Sequence, residues 1–162
     1  MTLRIYLVRH ALAAVRDADR WPDDNERPLT KVGVRYFKKV GEGLEQVAPV
    51  PDRVLSSPSL RAWQTAELLT DIGWPSPEVL AALLPGGEPR EVVGALPREG
   101  RVALVGHEPD LGRLASFLLT EDADRLSIEV KKGAVIAIEI DSDTAQASLK
   151  WLASPSMLRR MR

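Results

Sequence analysis

Short, continuous apolar runs alternate along the chain with longer stretches in which apolar residues recur every three or four positions. "RIYLV" (4–8), "RVLSS" (53–57) and "RVALVG" (101–106) have strand length and few polar interruptions, as expected of strands buried on both faces. A shorter strand is expected near Val79 and Leu80. In "PLTKVGVRYFKKVGEGLEQV", Val34, Phe37, Val40, Leu44 and Val47 keep helical spacing, and Thr30 is placed to cap the helix N-terminus. Gly33 and Gly41 weaken this helix, and Pro49 and Pro51 end it. "PSLRAWQTAELLTDI" predicts a second helix, with Pro58 in its first turn and Gly73 at its end. A turn, "PGGEP" (85–89), leads into a helix through Leu96, and "EPDLGRLASFLL" (108–119) predicts another. The last third differs: "GAVIAIEID" and "AQASLKWLAS" read as two strands joined by the turn "SDTA", an antiparallel hairpin.

Strand and helix alternate through most of the chain, which predicts an α/β fold. The expected form is a three-layer α/β/α sandwich with a mostly parallel sheet and an antiparallel edge hairpin. At 162 residues, one domain spanning 1–162 is expected. Residues 10–28 read as a long polar loop with room for a short helix. "DADR" (17–20) and "EVKK" (129–132) read as solvated turns, and the ending "SPSMLRRMR" as a solvated basic tail.

Charge and composition narrow the function. The 22 Lys and Arg nearly cancel the 23 Asp and Glu, so no basic field argues for nucleic acid. The four tryptophans, Trp21, Trp63, Trp74 and Trp151, follow no stacking periodicity and are assigned to packing. Without cysteine, disulfides, thiolate catalysis and Cys-based zinc sites are excluded. The N-terminal apolar run is broken by Arg4, Arg9 and His10 and is too short for a secretory segment or a membrane span. These features predict a cytoplasmic protein that binds neither membrane nor nucleic acid.

The candidate chemistry lies where the strands end. Arg9-His10, Ser56-Ser57 and Gly106-His107 each follow a predicted strand, and parallel α/β sheets bind ligands at the carboxyl ends of their strands. Arg61, four residues after Ser57, can reach the same rim from the next helix. Taken singly, each motif has an ordinary structural reading. Together, both histidines of the chain and two arginines fall at equivalent strand exits. Such a cationic set suits a phosphoryl group, whose oxygens accept arginine and histidine hydrogen bonds. A neutral imidazole can also attack phosphorus and form a phosphohistidine. This chemistry requires neither a metal nor a cofactor.

"LVRHA", "RPLTKVG" (27–33), "LSSPSLRAWQTAE" (55–67) and "VGHEPDL" (105–111) together resemble the ordered motifs of the histidine phosphatase superfamily, which includes the cofactor-dependent phosphoglycerate mutases. Their spacing, the short chain and the ending "WLASP" resemble its SixA-type phosphohistidine phosphatase branch. The resemblance implies that His10 is the phosphorylated nucleophile and that Arg9, Arg61 and His107 complete the phosphate pocket. It also implies that Arg27 and Thr30 lie near the pocket rim and that Ser57 shapes it. For Thr30, helix capping is an equal alternative.

The chain departs from the mutase pattern in one respect. The glutamate general acid of a mid-chain acidic, Gly- and Trp-containing stretch has no counterpart, and "LLPGGEPREV" stands in that region. Glu88 is the nearest candidate acid, with Asp17 and Asp19 as others; for Glu88 a favourable place at a helix N-terminus is the alternative. An alkoxide leaving group needs a well-placed acid, whereas the imidazole of phosphohistidine depends less on one. The expected substrate is therefore a phosphohistidine-containing protein. The alternatives are a small phosphorylated metabolite or, for a non-catalytic module, a phosphorylated partner.

Overall fold

The computed structural model describes residues 1–162. Six strands, β1 (Thr2–Arg9), β2 (Arg53–Ser56), β3 (Glu78–Val79), β4 (Gly100–Gly106), β5 (Val135–Asp141) and β6 (Ala147–Ala153), form one sheet in the order β3-β2-β4-β1-β5-β6. The first four in that order run parallel, and β5 is antiparallel to both β1 and β6. Five helices flank it: α1 (Lys31–Val47), α2 (Leu60–Leu68), α3 (Pro89–Gly94), α4 (Asp110–Thr120) and α5 (Pro155–Arg160). The expected layered α/β architecture, with its antiparallel edge hairpin, is present.

The continuous apolar runs are explained by burial on both faces. Alternate residues of a strand point to opposite sides, so Tyr6 and Val8 join Val54, Ala103 and Val105 beneath Phe37, Val40 and Leu44 of α1. Ile5 and Leu7 instead join Leu55, Val102 and Leu104 beneath Leu111 and Leu114 of α4. Trp74 and Trp151 pack against Tyr6, with ring centroids 5.6 and 6.1 Å away, as the packing assignment expected.

Several boundaries differ from the sequence reading. Pro58 precedes the Ser59 cap of α2, which tightens into a 3₁₀ turn at Leu69–Ile72 and closes on Gly73 in the left-handed conformation. The 3₁₀ turn at Asp24–Glu26, by contrast, is the short helix for which the loop after β1 was expected to have room. The basic ending is not a free tail but the short helix α5. Ser154 caps it by accepting the Met157 N–H, and Leu158 is buried. Gly43 lets α1 approach that closely, since a Cβ there would lie 1.7 Å from the Leu158 carbonyl oxygen.

Gly33, which weakens α1 by propensity, has a similar role: a Cβ would come 2.1 Å from the Leu12 carbonyl oxygen. The start of α1 is thereby held against the segment that follows β1. Thr30 performs the predicted capping, accepting the Gly33 N–H at 2.9 Å.

Candidate active site

Sheet register brings the strand exits together. Arg9 pairs with Gly106 and Ser56 with Val105. Just beyond, the His10 N–H donates to the Gly106 carbonyl and the Ser57 N–H to the Val105 carbonyl, each at 3.0 Å. His10, Ser57 and His107 thus emerge side by side, and the two imidazole rings lie 5.2 Å apart between centroids.

The His10 ring is almost fully buried and its Nδ1 lies 2.7 Å from the Ala11 carbonyl oxygen. A carbonyl only accepts, so Nδ1 carries the hydrogen and Nε2 retains its lone pair. Burial pushes the His10 pKa down to about 4, assisted by Arg61 and Arg9 and opposed by the Ala11 hydrogen bond. At neutral pH the ring is an uncharged imidazole with one free basic nitrogen. The backbone beside it is anchored: the Ala11 N–H donates to Thr65 Oγ1 at 3.0 Å, and that hydroxyl donates to the Arg61 carbonyl.

His107 is held from the opposite side by Ser57, whose Oγ lies 2.9 Å from Nε2. Ser57 Oγ also accepts the Ser59 N–H at 3.2 Å, and with a second lone pair and its own hydrogen it can accept from or donate to Nε2, with Nδ1 in the complementary protonation state. That Nδ1 is buried without a hydrogen-bond partner. Burial, followed by His10 and the two arginines, pushes the His107 pKa down to about 3.

The arginines are oriented by groups far away in sequence. Arg9 donates through one terminal nitrogen to the Val130 carbonyl at 2.9 Å. Arg61 donates to the Asp24 carbonyl oxygen at 2.8 Å and pairs with the Asp24 carboxylate at 3.3 Å. The Nε of each arginine is buried and unpartnered. Arg27 is buried and engages the Asp24 carboxylate through Nε and the Ala14 carbonyl through a terminal nitrogen. These bonds hold the Asp24 carboxyl below the usual carboxylate range, with Arg27 the largest cause.

The candidate acids are placed differently. Asp17 and Asp19 are exposed, and the Asp17 carboxylate accepts the Asp19 and Arg20 N–H groups within its own turn. Glu88 is exposed at the start of α3; its neighbours Gly87 and Pro89 line a small cavity shared with His107.

Sequence reasoning missed Asp24, Thr65, Glu108 and Lys132. Glu108 accepts the Gly112 N–H at 2.7 Å, and burial raises its pKa while Arg9 pulls it back. "EVKK" is not merely a solvated turn: Val130 is buried, and the Lys132 charge acts on His10. For Thr65 alone there was a local signal, its place one turn after Arg61. The two histidines stand among arginines, and no group of three or more His, Cys, Asp or Glu side chains converges on one point.

The histidine phosphatase superfamily (branch 1) model matches residues 5–83. Over 97% of this chain and 97% of its own, the phosphohistidine phosphatase SixA of Escherichia coli is 30% identical. The chain belongs to the histidine phosphatase superfamily. It falls on the SixA-type branch and is a phosphatase. An uncharacterized protein of Picosynechococcus is 34% identical over 96% of this chain and 99% of its own. The structure of the protein histidine phosphatase SixA complexed with tungstate superposes with a TM-score of 0.82 at 28% identity, covering 94% of this chain and 97% of that one. No helix of this histidine phosphatase is long and apolar enough to cross a membrane.

Proposed function

We propose that this histidine phosphatase hydrolyses phosphohistidine on proteins through a phosphohistidine intermediate on its own His10. One observation carries the reading: the Nδ1 hydrogen bond to Ala11 leaves a neutral Nε2 lone pair on a ring whose centroid lies 5.2 Å from that of His107 and on which the charges of Arg61 and Arg9 act. The unpartnered Nε–H groups of Arg9 and Arg61 suit the oxygens of a transferring phosphoryl group, and His107 adds a buried ring nitrogen without a partner. A module that only bound phosphate would gain from the arginines but not from a neutral, oriented imidazole.

In the first step His10 Nε2 attacks phosphorus in line as the P–N bond of the substrate breaks. The departing imidazole keeps the bonding electron pair and takes up a proton. In the second, water attacks phospho-His10, releasing inorganic phosphate and restoring the neutral ring. Arg27 contributes through Asp24, Thr30 by capping α1 and Ser57 by holding His107. Of Glu88, Asp17 and Asp19, Glu88 is the one whose chain neighbours line the cavity at His107, and it is the proposed source of a proton where the leaving group needs one. The substrate class is supported by an imidazole's low demand for an acid and by the 30% identity to a phosphohistidine phosphatase.

The test is to mix the protein with a ³²P-labelled phosphohistidine protein, quench in alkali and map the label. Acid-labile, alkali-stable phosphate on His10 is expected, and His10→Ala should be folded and inactive. Turnover without that label would overturn the covalent route. Faster turnover of small phosphomonoesters than of any phosphohistidine protein would reassign the substrate.

A further inference from the structure

Beside His10 a groove opens between α1, α5 and the loop at Lys132 and Gly133. Ala11 and Leu12 form its end nearest the imidazole, Phe37 and Val40 contribute its apolar floor, and Tyr36 and Arg159 stand at its side. Its cavity of about 110 Å³ is smaller than the ~150 Å³ engineered cavity that admits benzene, a size suited to one aliphatic side chain.

The groove is framed by one sign of charge. Residues 31–40 of α1, the pair Lys131-Lys132 and residues 155–162 carry nine Lys and Arg and no Asp or Glu, in a chain whose net charge is −1; Lys132 and Arg159 line the groove itself, and Arg162 is paired with Glu42 of α1. Arg159 and Arg35 both stack on the Tyr36 ring, 4.8 and 5.7 Å from its centroid. Tyr36, Arg35 and Lys132 are exposed. Lys132 belongs to both regions: it lines the groove, and its ammonium is held below its ordinary pKa by partial burial and by Arg9, Arg27 and Arg16.

We propose that this groove docks the protein substrate, seating an apolar side chain that is flanked by carboxylates close to the phosphohistidine. The proposal rests on the phosphohistidine-protein reading above. The occupant follows from charge complementarity: an apolar floor whose only charged lining residues, Lys132 and Arg159, are both cationic selects an apolar residue in an acidic surface, and its end at Ala11 sets that surface next to His10. Carboxylates meeting Arg159, Arg35 and Lys132 steer encounter and fix orientation, effects that salt weakens. A free phosphohistidine reaches the phosphoryl pocket without touching the groove.

The experiment compares two substrates: a small acidic protein phosphorylated by phosphoramidate on one surface histidine, and a neutral tetrapeptide phosphorylated in the same way. For Arg159→Glu, kcat/KM on the phosphoprotein should fall about tenfold, chiefly through KM, with kcat/KM on the phosphopeptide unchanged. Arg35→Glu, on exposed helix surface, should act in the same direction, and raising salt should erase the wild-type preference for the protein. Equal losses on both substrates, or none on the protein, would overturn the docking site. Retained phosphoprotein turnover combined with loss of wild-type binding to phosphatidylserine vesicles would reassign the face to a membrane. A wild-type protein that turned over neither substrate would instead sink the phosphohistidine reading, and the docking site with it.

Discussion

The rings of His10 and His107 face one another at 5.2 Å, tilted by 55°, and burial keeps both uncharged at neutral pH. Neutrality gives His10 a usable lone pair, and it avoids placing two cations side by side next to two arginines.

The pH dependence of stability follows. In the unfolded chain both histidines titrate near 6.5, whereas in the folded protein they titrate at about 4 and about 3. Between those values the unfolded state binds more protons, so stability falls as pH drops from about 6.5 toward 4. From pH 7 to pH 5 each histidine should contribute about 2 kcal/mol to that loss. Urea unfolding at the two pH values measures it, and His10→Asn should shrink the difference. A His10 ring titrating above 6 by NMR would contradict the assignment.

Ser57→Ala removes the hydroxyl that holds His107 Nε2. Leaving a buried ring nitrogen unpartnered should cost about 1–3 kcal/mol. Freed from Ser57, the imidazole can rotate or change tautomer, and a roughly tenfold drop in single-turnover rate is expected. Unchanged turnover in a destabilised variant would reduce Ser57 to a structural role.

Asp24→Asn keeps the shape of the side chain but removes the charge shared by Arg27 and Arg61. The carboxylate is half exposed, so a stability loss of only about 1 kcal/mol is expected. Two arginines left uncompensated should bind tungstate more tightly, by about threefold. Calorimetric titration measures this, and weaker binding would show that Asp24 acts mainly by orienting Arg61.

Gly33→Ala would drive a methyl group against the Leu12 carbonyl. Backbone cannot yield as a flexible side chain does, so the segment after His10 must shift, at a cost of about 1–3 kcal/mol. Lower turnover should accompany the lower melting temperature.

The strands, the main helices and the exits carrying His10, Ser57 and His107 were legible because each is a local pattern: an apolar run, then a polar residue where the run ends. Arg61 was legible because helix geometry ties it to Ser57. Asp24 was not, since what distinguishes it from Asp17, Asp19 and Asp23 is an ion pair with Arg61, an arginine 37 residues away. The loop around Lys132 was read as solvated because nothing nearby reveals that Arg9 reaches Val130 across 121 residues. Helix α5 is too short to show periodicity, and its Leu158 is buried where Gly43 lets α1 approach closely.

The sequence by itself therefore determined the layered α/β fold and the residues presented at the sheet's rim, because alternation and spacing act over a few residues. Only the tertiary structure decided which ring nitrogen of His10 is free, which carboxylate binds the arginines and where a cationic groove meets the site. Those properties depend on burial and on partners brought together by strand register, and neither is encoded in a local stretch of chain.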